Sequence, residues 1–124
     1  MSEYFENQGL LRAWRALGYS LKGLRSCYRH ESAFRQETAI SLIVIPLGLW
    51  LGEGGIEKVL LVSSWMLVLV VELLNSAVEA AVDRFGSERH KLSGRAKDIA
   101  SAAVLMSILM AIMVWVLILG PRYW

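Results

Sequence analysis

From Ile99 to Gly120 the chain carries no charged residue. A helix of about 20 such residues, rising about 1.5 Å per residue, crosses a hydrocarbon core of roughly 30 Å. A second run, Val59 to Val82, is as long and apolar apart from Glu72, Asn75, Glu79 and a few serines. A third, Thr38 to Gly52, is too short to cross unless its helix starts near Glu31, and Pro46 inside it predicts a kink. With 56% hydrophobic residues and a mean hydropathy of +0.47, the chain has the bilayer as its natural solvent. The expected fold is an all-α integral membrane protein, with three transmembrane helices and an N-terminal amphipathic surface helix. In one domain, 1–124, the surface helix covers about 8–29 and the spans about 31–52, 59–82 and 99–120.

The cations give this arrangement a direction. Arg12, Arg15, Lys22, Arg25, Arg29 and Arg35 precede or open the first span, and Arg84, Arg89, Lys91, Arg95 and Lys97 separate the second from the third. The positive-inside rule therefore places the N-terminus and the second loop in the cytoplasm, with the loop Glu53 to Lys58 and the C-terminus on the opposite side. Leu10, Trp14, Leu17, Leu21, Leu24 and Tyr28 recur at spacings of four and three, with basic residues between them. This is the pattern of a helix lying on anionic lipid, and equally of a basic segment that sets topology. Residues Met1 to Asn7 are polar and include Glu3 and Glu6, so no cleaved signal peptide is expected. Cys27, the single cysteine, excludes an internal disulfide and any multi-cysteine metal centre.

The chemistry is concentrated in the second span. Glu72, Asn75, Glu79 and Asp83 advance by three, four and four residues, so they share one helix face over roughly 16 Å. A carboxylate deep in the bilayer costs roughly 3 kcal/mol or more and normally faces a protein interior or a wet cleft. Such residues serve either as hydrogen-bonding links between helices or as functional groups. As functional groups they divide by depth. Glu79, near the interface, is a hard oxygen ligand suited to Mg²⁺ shared with phosphates, and the deeper Glu72 suits a general base toward a lipid hydroxyl. Asn75 supports them by hydrogen bonding.

The segment Gly86 to Asp98 combines glycines with basic and hydroxyl groups that suit phosphates, and is equally a solvated charged loop. Asp98 suits the N-terminus of the third span. The chain has no G-x-x-x-x-G-K-[ST] run, no protein-kinase signature, no H-E-x-x-H and no G-x-S-x-G. Soluble nucleotide-binding folds and common hydrolase centres are thereby disfavoured.

The run Glu72-Leu73-Leu74-Asn75-Ser76-Ala77-Val78-Glu79-Ala80-Ala81-Val82-Asp83 resembles the signature of the prokaryotic diacylglycerol kinase family. The resemblance extends through Gly18-Tyr19-Ser20, Lys22-Gly23-Leu24-Arg25, Glu31-Ser32-Ala33-Phe34-Arg35-Gln36-Glu37 and Gly94-Arg95-Ala96-Lys97-Asp98 into Ser101-Ala102-Ala103-Val104-Leu105, and covers most of residues 12 to 120. It implies a homotrimer of three-span protomers in the bacterial inner membrane, transferring the γ-phosphoryl of MgATP to the primary hydroxyl of 1,2-diacylglycerol. It also implies Glu72 as catalytic base, and Glu31 and Glu79 as ligands of Mg²⁺. Arg12, Tyr19, Glu31, Glu79, Glu88, His90, Lys97 and Asp98 are the implied ATP contacts. The implied lipid contacts are Ala33, Phe34, Arg35, Gln36, Glu37, Trp50, Lys58, Glu72, Ser101 and Trp115. Departures from the family pattern lie in the first seven residues, in Gly52 to Lys58, and at Arg89 and Lys91.

Undecaprenol is the alternative acceptor within the family. A small proton or cation channel subunit, with the stripe lining its path, is the reading from another class. No nucleic-acid partner is expected.

Overall fold

A computed structural model describes residues 2–84 and 91–124, with side chains from residue 8 onward. Four long helices follow one another: α1 (Ser2–His30), α2 (Ser32–Leu51), α3 (Gly54–Asp83) and α4 (Lys91–Leu119), closed by a 3₁₀ turn, Gly120–Arg122. The last three helices are long and apolar enough to cross a membrane. The described residues contain no strand, and the fold is that of an all-α integral membrane protein.

Helix α3 is the centre of the packing, lying against α4 along most of its length and against α2 on another side. Its buried residues are Leu61, Ser64, Val68 and Glu72. Their spacings of three, four and four place them on one seam, and Leu61 and Val68 are fully buried. Asn75, Glu79 and Asp83 continue the same spacing. The stripe is therefore the polar half of the packing seam, with exposure rising from buried Glu72 through half-buried Asn75 and Glu79 to exposed Asp83.

Small residues and indole N–H groups hold the helices close. A Cβ on buried Gly48 would lie 3.3 Å from Leu61 Cβ and 3.5 Å from the Trp115 ring, so the glycine lets α2 approach α3 and α4. Trp115 Nε1–H donates to the Leu61 carbonyl at 3.0 Å, and Trp65 Nε1–H donates to Ser41 Oγ at 2.7 Å. The Ser41 hydroxyl in turn donates to the Glu37 carbonyl. Each bond satisfies a polar group that lipid cannot solvate.

The ends of the helices depart from the sequence expectation in two places. The outer loop expected over Glu53 to Lys58 is already α3 from Gly54, whose φ of +77° is open to glycine at little cost. Helix α4 already includes Lys91, so Asp98 stands about two turns or more inside it rather than at its N-terminus. The single Gly94 costs a helix only about 1 kcal/mol, too little to outweigh the continuous run around it. Pro46 lies inside α2, and the helix continues across it.

At the far end from α1, Arg122 gathers the helix ends. Its guanidinium donates to the Leu51 carbonyl at 3.0 Å and pairs with Glu57 and with Glu53, the latter at 3.3 Å. The Glu57 carboxylate also accepts the Glu53 backbone N–H at 3.0 Å.

Candidate functional site

Glu31 is the one residue between α1 and α2. Its backbone is extended, with φ −112° and ψ 110°, yet its N–H still donates to the Cys27 carbonyl and its carbonyl accepts the Arg35 N–H. The chain thus turns from surface helix to span over a single residue while both helices keep their bonds there. Arg35 secures the elbow from the other side by donating to the Tyr28 and Arg29 carbonyls at 3.0 and 2.9 Å, which satisfies the exposed end of α1. The Glu31 side chain makes no capping bond, so its carboxylate is free for another partner.

This elbow faces the polar half of the α3 seam. Between them lies an open cleft of about 790 Å³, lined from α1 and the elbow by Ser20, Cys27, His30 and Glu31 and from α3 by Ser76, Glu79 and Asp83, among others. Glu31 and Glu79, far apart in sequence, therefore share one cavity. Glu72 lies seven residues from Glu79, about 10 Å along the helix, and is 6% exposed. Three carboxylates, Glu31, Glu72 and Glu79, thus belong to this cleft and the seam that runs beneath it.

The donor set fits a hard divalent cation. Among the described residues no three His, Cys, Asp or Glu side chains lie close enough to hold a metal by themselves. Two carboxylates on opposite walls, with phosphate oxygens completing the shell, is the arrangement in which Mg²⁺ is usually held. Asn75 Nδ2–H reaches Glu79 Oε1 at a long 3.5 Å, while Asn75 Oδ1 is buried without a partner. Such an orphaned acceptor beside a carboxylate marks a place where a further group completes the bonding.

The remaining expected residues are distributed as follows. Arg12 and Tyr19 lie on one flank of α1, and Lys22 Nζ stands 5.9 Å from the centroid of the Tyr19 ring. Lys97 and Asp98 are exposed on the first part of α4, with Lys97 Nζ 2.7 Å from Asp83 Oδ1. Glu88 and His90 lie outside the described residues. Ala33, Arg35 and Gln36 are exposed at the start of α2, where Phe34 is buried and Glu37 is half-buried with Oε2 unpartnered. Ser101 is exposed on α4. Trp50 and Lys58 are exposed near the α2–α3 turn, roughly 28 Å along α2 from Glu31. Trp115 lines a separate apolar groove with Trp65, Val68 and Ile108. A headgroup cannot touch all of these at once, although an extended lipid can.

Sequence reasoning passed over Cys27, His30 and Ser76 in the cleft wall. Cys27 is buried, and burial pushes its thiol above the ordinary range, with Glu31, Glu72 and Glu37 adding to the rise and a hydrogen bond from Ser76 opposing it. The signal was present in the helical spacing of Ser20, Cys27 and Glu31, which share a face with the same period as the α3 stripe.

Residues 18–119 match the family model for prokaryotic diacylglycerol kinase. A protein named diacylglycerol kinase from Escherichia coli strain K12 is 53% identical over 115 residues, covering 93% of this chain and 94% of that protein. Proteins of the same name from Haemophilus influenzae and Pseudomonas aeruginosa are 49% and 43% identical over 111 residues. Those alignments cover 90% of this chain in each case, and 94% and 90% of the relatives. The chain therefore belongs to the prokaryotic diacylglycerol kinase family, and is a kinase built from membrane-spanning helices.

Proposed function

We propose that this protein transfers the γ-phosphoryl of MgATP to the primary hydroxyl of 1,2-diacylglycerol, giving phosphatidic acid and ADP. The observation that carries the reading is the α3 seam, in which buried Glu72 lies beneath a cleft walled by Glu31 and Glu79. Phosphoryl transfer needs positioning and charge neutralisation more than covalent chemistry, so a cleft of this kind suffices without a soluble nucleotide fold.

Glu31 and Glu79 are the groups that hold the metal, and Mg²⁺ when bound supplies neutralisation of the phosphate oxygens. Arg12, Tyr19, Lys97 and Asp98, with Glu88 and His90 of the 85–90 segment, contact the nucleotide in this reading. Glu72 accepts the proton of the lipid hydroxyl as that oxygen attacks phosphorus. Its burial keeps water from competing as the acceptor. Asn75 orients Glu79 through the bond already present between them. The start of α2, from Ala33 to Glu37, receives the glycerol end of the lipid. In this reading Ser101 also meets that end, and Trp115, Trp50 and Lys58 line the path of the chains.

In the same reading the protein is a homotrimer in the bacterial inner membrane, with the cleft on the cytoplasmic side and the C-terminus opposite. The uneven Lys and Arg distribution supports that orientation. The buried orphan atoms Glu37 Oε2 and Asn75 Oδ1 support a site completed by ligands and a neighbouring protomer.

The test is transfer of labelled phosphate from ATP to lipid in mixed micelles, with diacylglycerol and undecaprenol offered separately in the presence of Mg²⁺. Diacylglycerol should be the faster acceptor by at least about tenfold. Faster phosphorylation of undecaprenol would move the assignment to the other acceptor, and MgATP-independent ion flux without any lipid phosphorylation would favour a channel.

A further inference from the structure

Glu31 belongs to two helices at once. Its N–H donates to the Cys27 carbonyl at 2.8 Å, closing α1, and its carbonyl accepts the Arg35 N–H at 3.2 Å, opening α2. The angle between the two helices, and with it the direction of the Glu31 side chain, hangs on one pair of dihedrals, φ −112° and ψ 110°. That pair lies in the extended region, which is broad, so backbone sterics alone do not hold it at one value.

Arg35 supplies the restraint. Its Nη1 donates across the joint to the Tyr28 and Arg29 carbonyls at 3.0 and 2.9 Å. One guanidinium nitrogen carries two hydrogens and so serves both carbonyls, tying the first turn of α2 to the last turn of α1. Arg35 lines not the cleft but a separate groove, with Arg25, Tyr28 and Arg29. Its influence on a ligand in the cleft therefore passes through Glu31, which does line it. The fold depends on the clamp less than the angle does. Tyr28, Arg29 and Arg35 are exposed, so water can take up the two carbonyls where the guanidinium is missing.

We infer that Arg35 is a positioning residue for the metal site, holding the elbow at the angle that directs the Glu31 carboxylate into the cleft opposite Glu79. The inference rests on the reading of Glu31 and Glu79 as metal ligands. Two ligands on separate helices, with phosphate oxygens completing the shell, share a cation only while their walls keep their spacing. Glu79 is carried by the packed helix α3, whereas Glu31 stands on a one-residue joint. The joint is the part of the site that needs an outside support.

The experiment measures the Kd of β,γ-methylene-ATP, whose phosphoryl group is not transferred, by calorimetry on the full chain in micelles without diacylglycerol. Each protein is titrated with and without Mg²⁺, so no turnover and no contact with the lipid acceptor enters the result. The unmodified protein should bind the analogue at least about 20-fold more tightly with Mg²⁺, within the usual range of coupling between two ligands. Arg35→Met and Arg35→Gln should each shrink that advantage by roughly tenfold, as loss of a group that orients a metal ligand does, with the Mg²⁺-free Kd within about twofold. Either variant carries the test if the other does not fold. Arg35→Lys, which keeps a donor able to reach one carbonyl, should restore part of the advantage. With Glu31 already changed to Gln, Arg35→Met should alter it by less than about twofold, because the two residues act through one ligand. An undiminished Mg²⁺ advantage in a folded Arg35→Met or Arg35→Gln protein overturns the inference. So does a loss that falls equally on both Kd values, or one that adds in full to that of Glu31→Gln. Absence of any Mg²⁺ advantage in the unmodified protein, or its full retention in Glu31→Gln, overturns the metal-ligand reading itself and the inference with it.

Discussion

Lys97 Nζ on α4 lies 2.7 Å from Asp83 Oδ1 at the end of α3, joining the two helices across the segment 85–90. The pair unites the outermost member of the polar seam with a cation on the expected nucleotide side. Both groups are substantially exposed, so the link orients Lys97 more than it stabilises the fold.

Two substitutions separate those roles. Lys97→Met should lower kcat/KM for ATP by roughly 10²-fold, because in the proposed site it removes a cation from the transferring phosphates. Asp83→Asn leaves the cation in place and should change the same constant by less than about fivefold. Steady-state kinetics with varied MgATP distinguish the two.

Glu31 and Glu79 hold opposite walls of the cleft. Either Glu→Gln change should raise the Mg²⁺ concentration for half-maximal activity by at least about tenfold, since a neutral amide is a poorer ligand than a carboxylate. The checking measurement is a Mg²⁺ titration at saturating ATP and lipid. Unchanged metal dependence in both variants would remove them as ligands.

Cys27 provides a reporter on the same cavity. Its thiol is buried and its pKa is raised, so at any given pH it holds less thiolate than an exposed cysteine. Alkylation by a maleimide should therefore be slow near neutral pH, and should keep rising with pH beyond the point where a free cysteine levels off. MgATP should slow it further, because Cys27 lines the cleft. Mass spectrometry of the modified chain at a series of pH values checks both effects.

Trp115 lies away from the cleft, and its indole N–H bonds the Leu61 carbonyl at 3.0 Å. Trp115→Phe should cost about 1 kcal/mol in stability, measured by unfolding in detergent, because it removes the bond between α3 and α4 while keeping an aromatic ring in the groove.

Much of this arrangement is legible in the chain. The spacing of Glu72, Asn75, Glu79 and Asp83 shows a polar face because period and polarity coincide there. Leu61, Ser64 and Val68 belong to the same seam, yet in a run apolar on every side nothing distinguishes the packed face from the lipid face. The elbow at Glu31 was visible only as the place where the first span had to begin. Its single-residue turn depends on Arg35 holding the end of α1, a contact with no local sequence signal. Residues 91–98 read as a loop because charges and Gly94 interrupt the apolar pattern, although a helix continues through them once α4 packs on α3. His30 escaped notice because a lone histidine among basic residues has no meaning until the fold sets it in the wall of the cleft that Glu79 also lines.

The most direct measurement is Glu72→Gln, read by both lipid phosphorylation and nucleotide binding. The carboxylate is buried beneath the cleft rather than lining it. Losing the proposed general base should lower kcat by roughly 10²- to 10⁴-fold, while the Kd for MgATP stays within about threefold of the unmodified protein. A variant that phosphorylates diacylglycerol at close to the original rate would contradict the account.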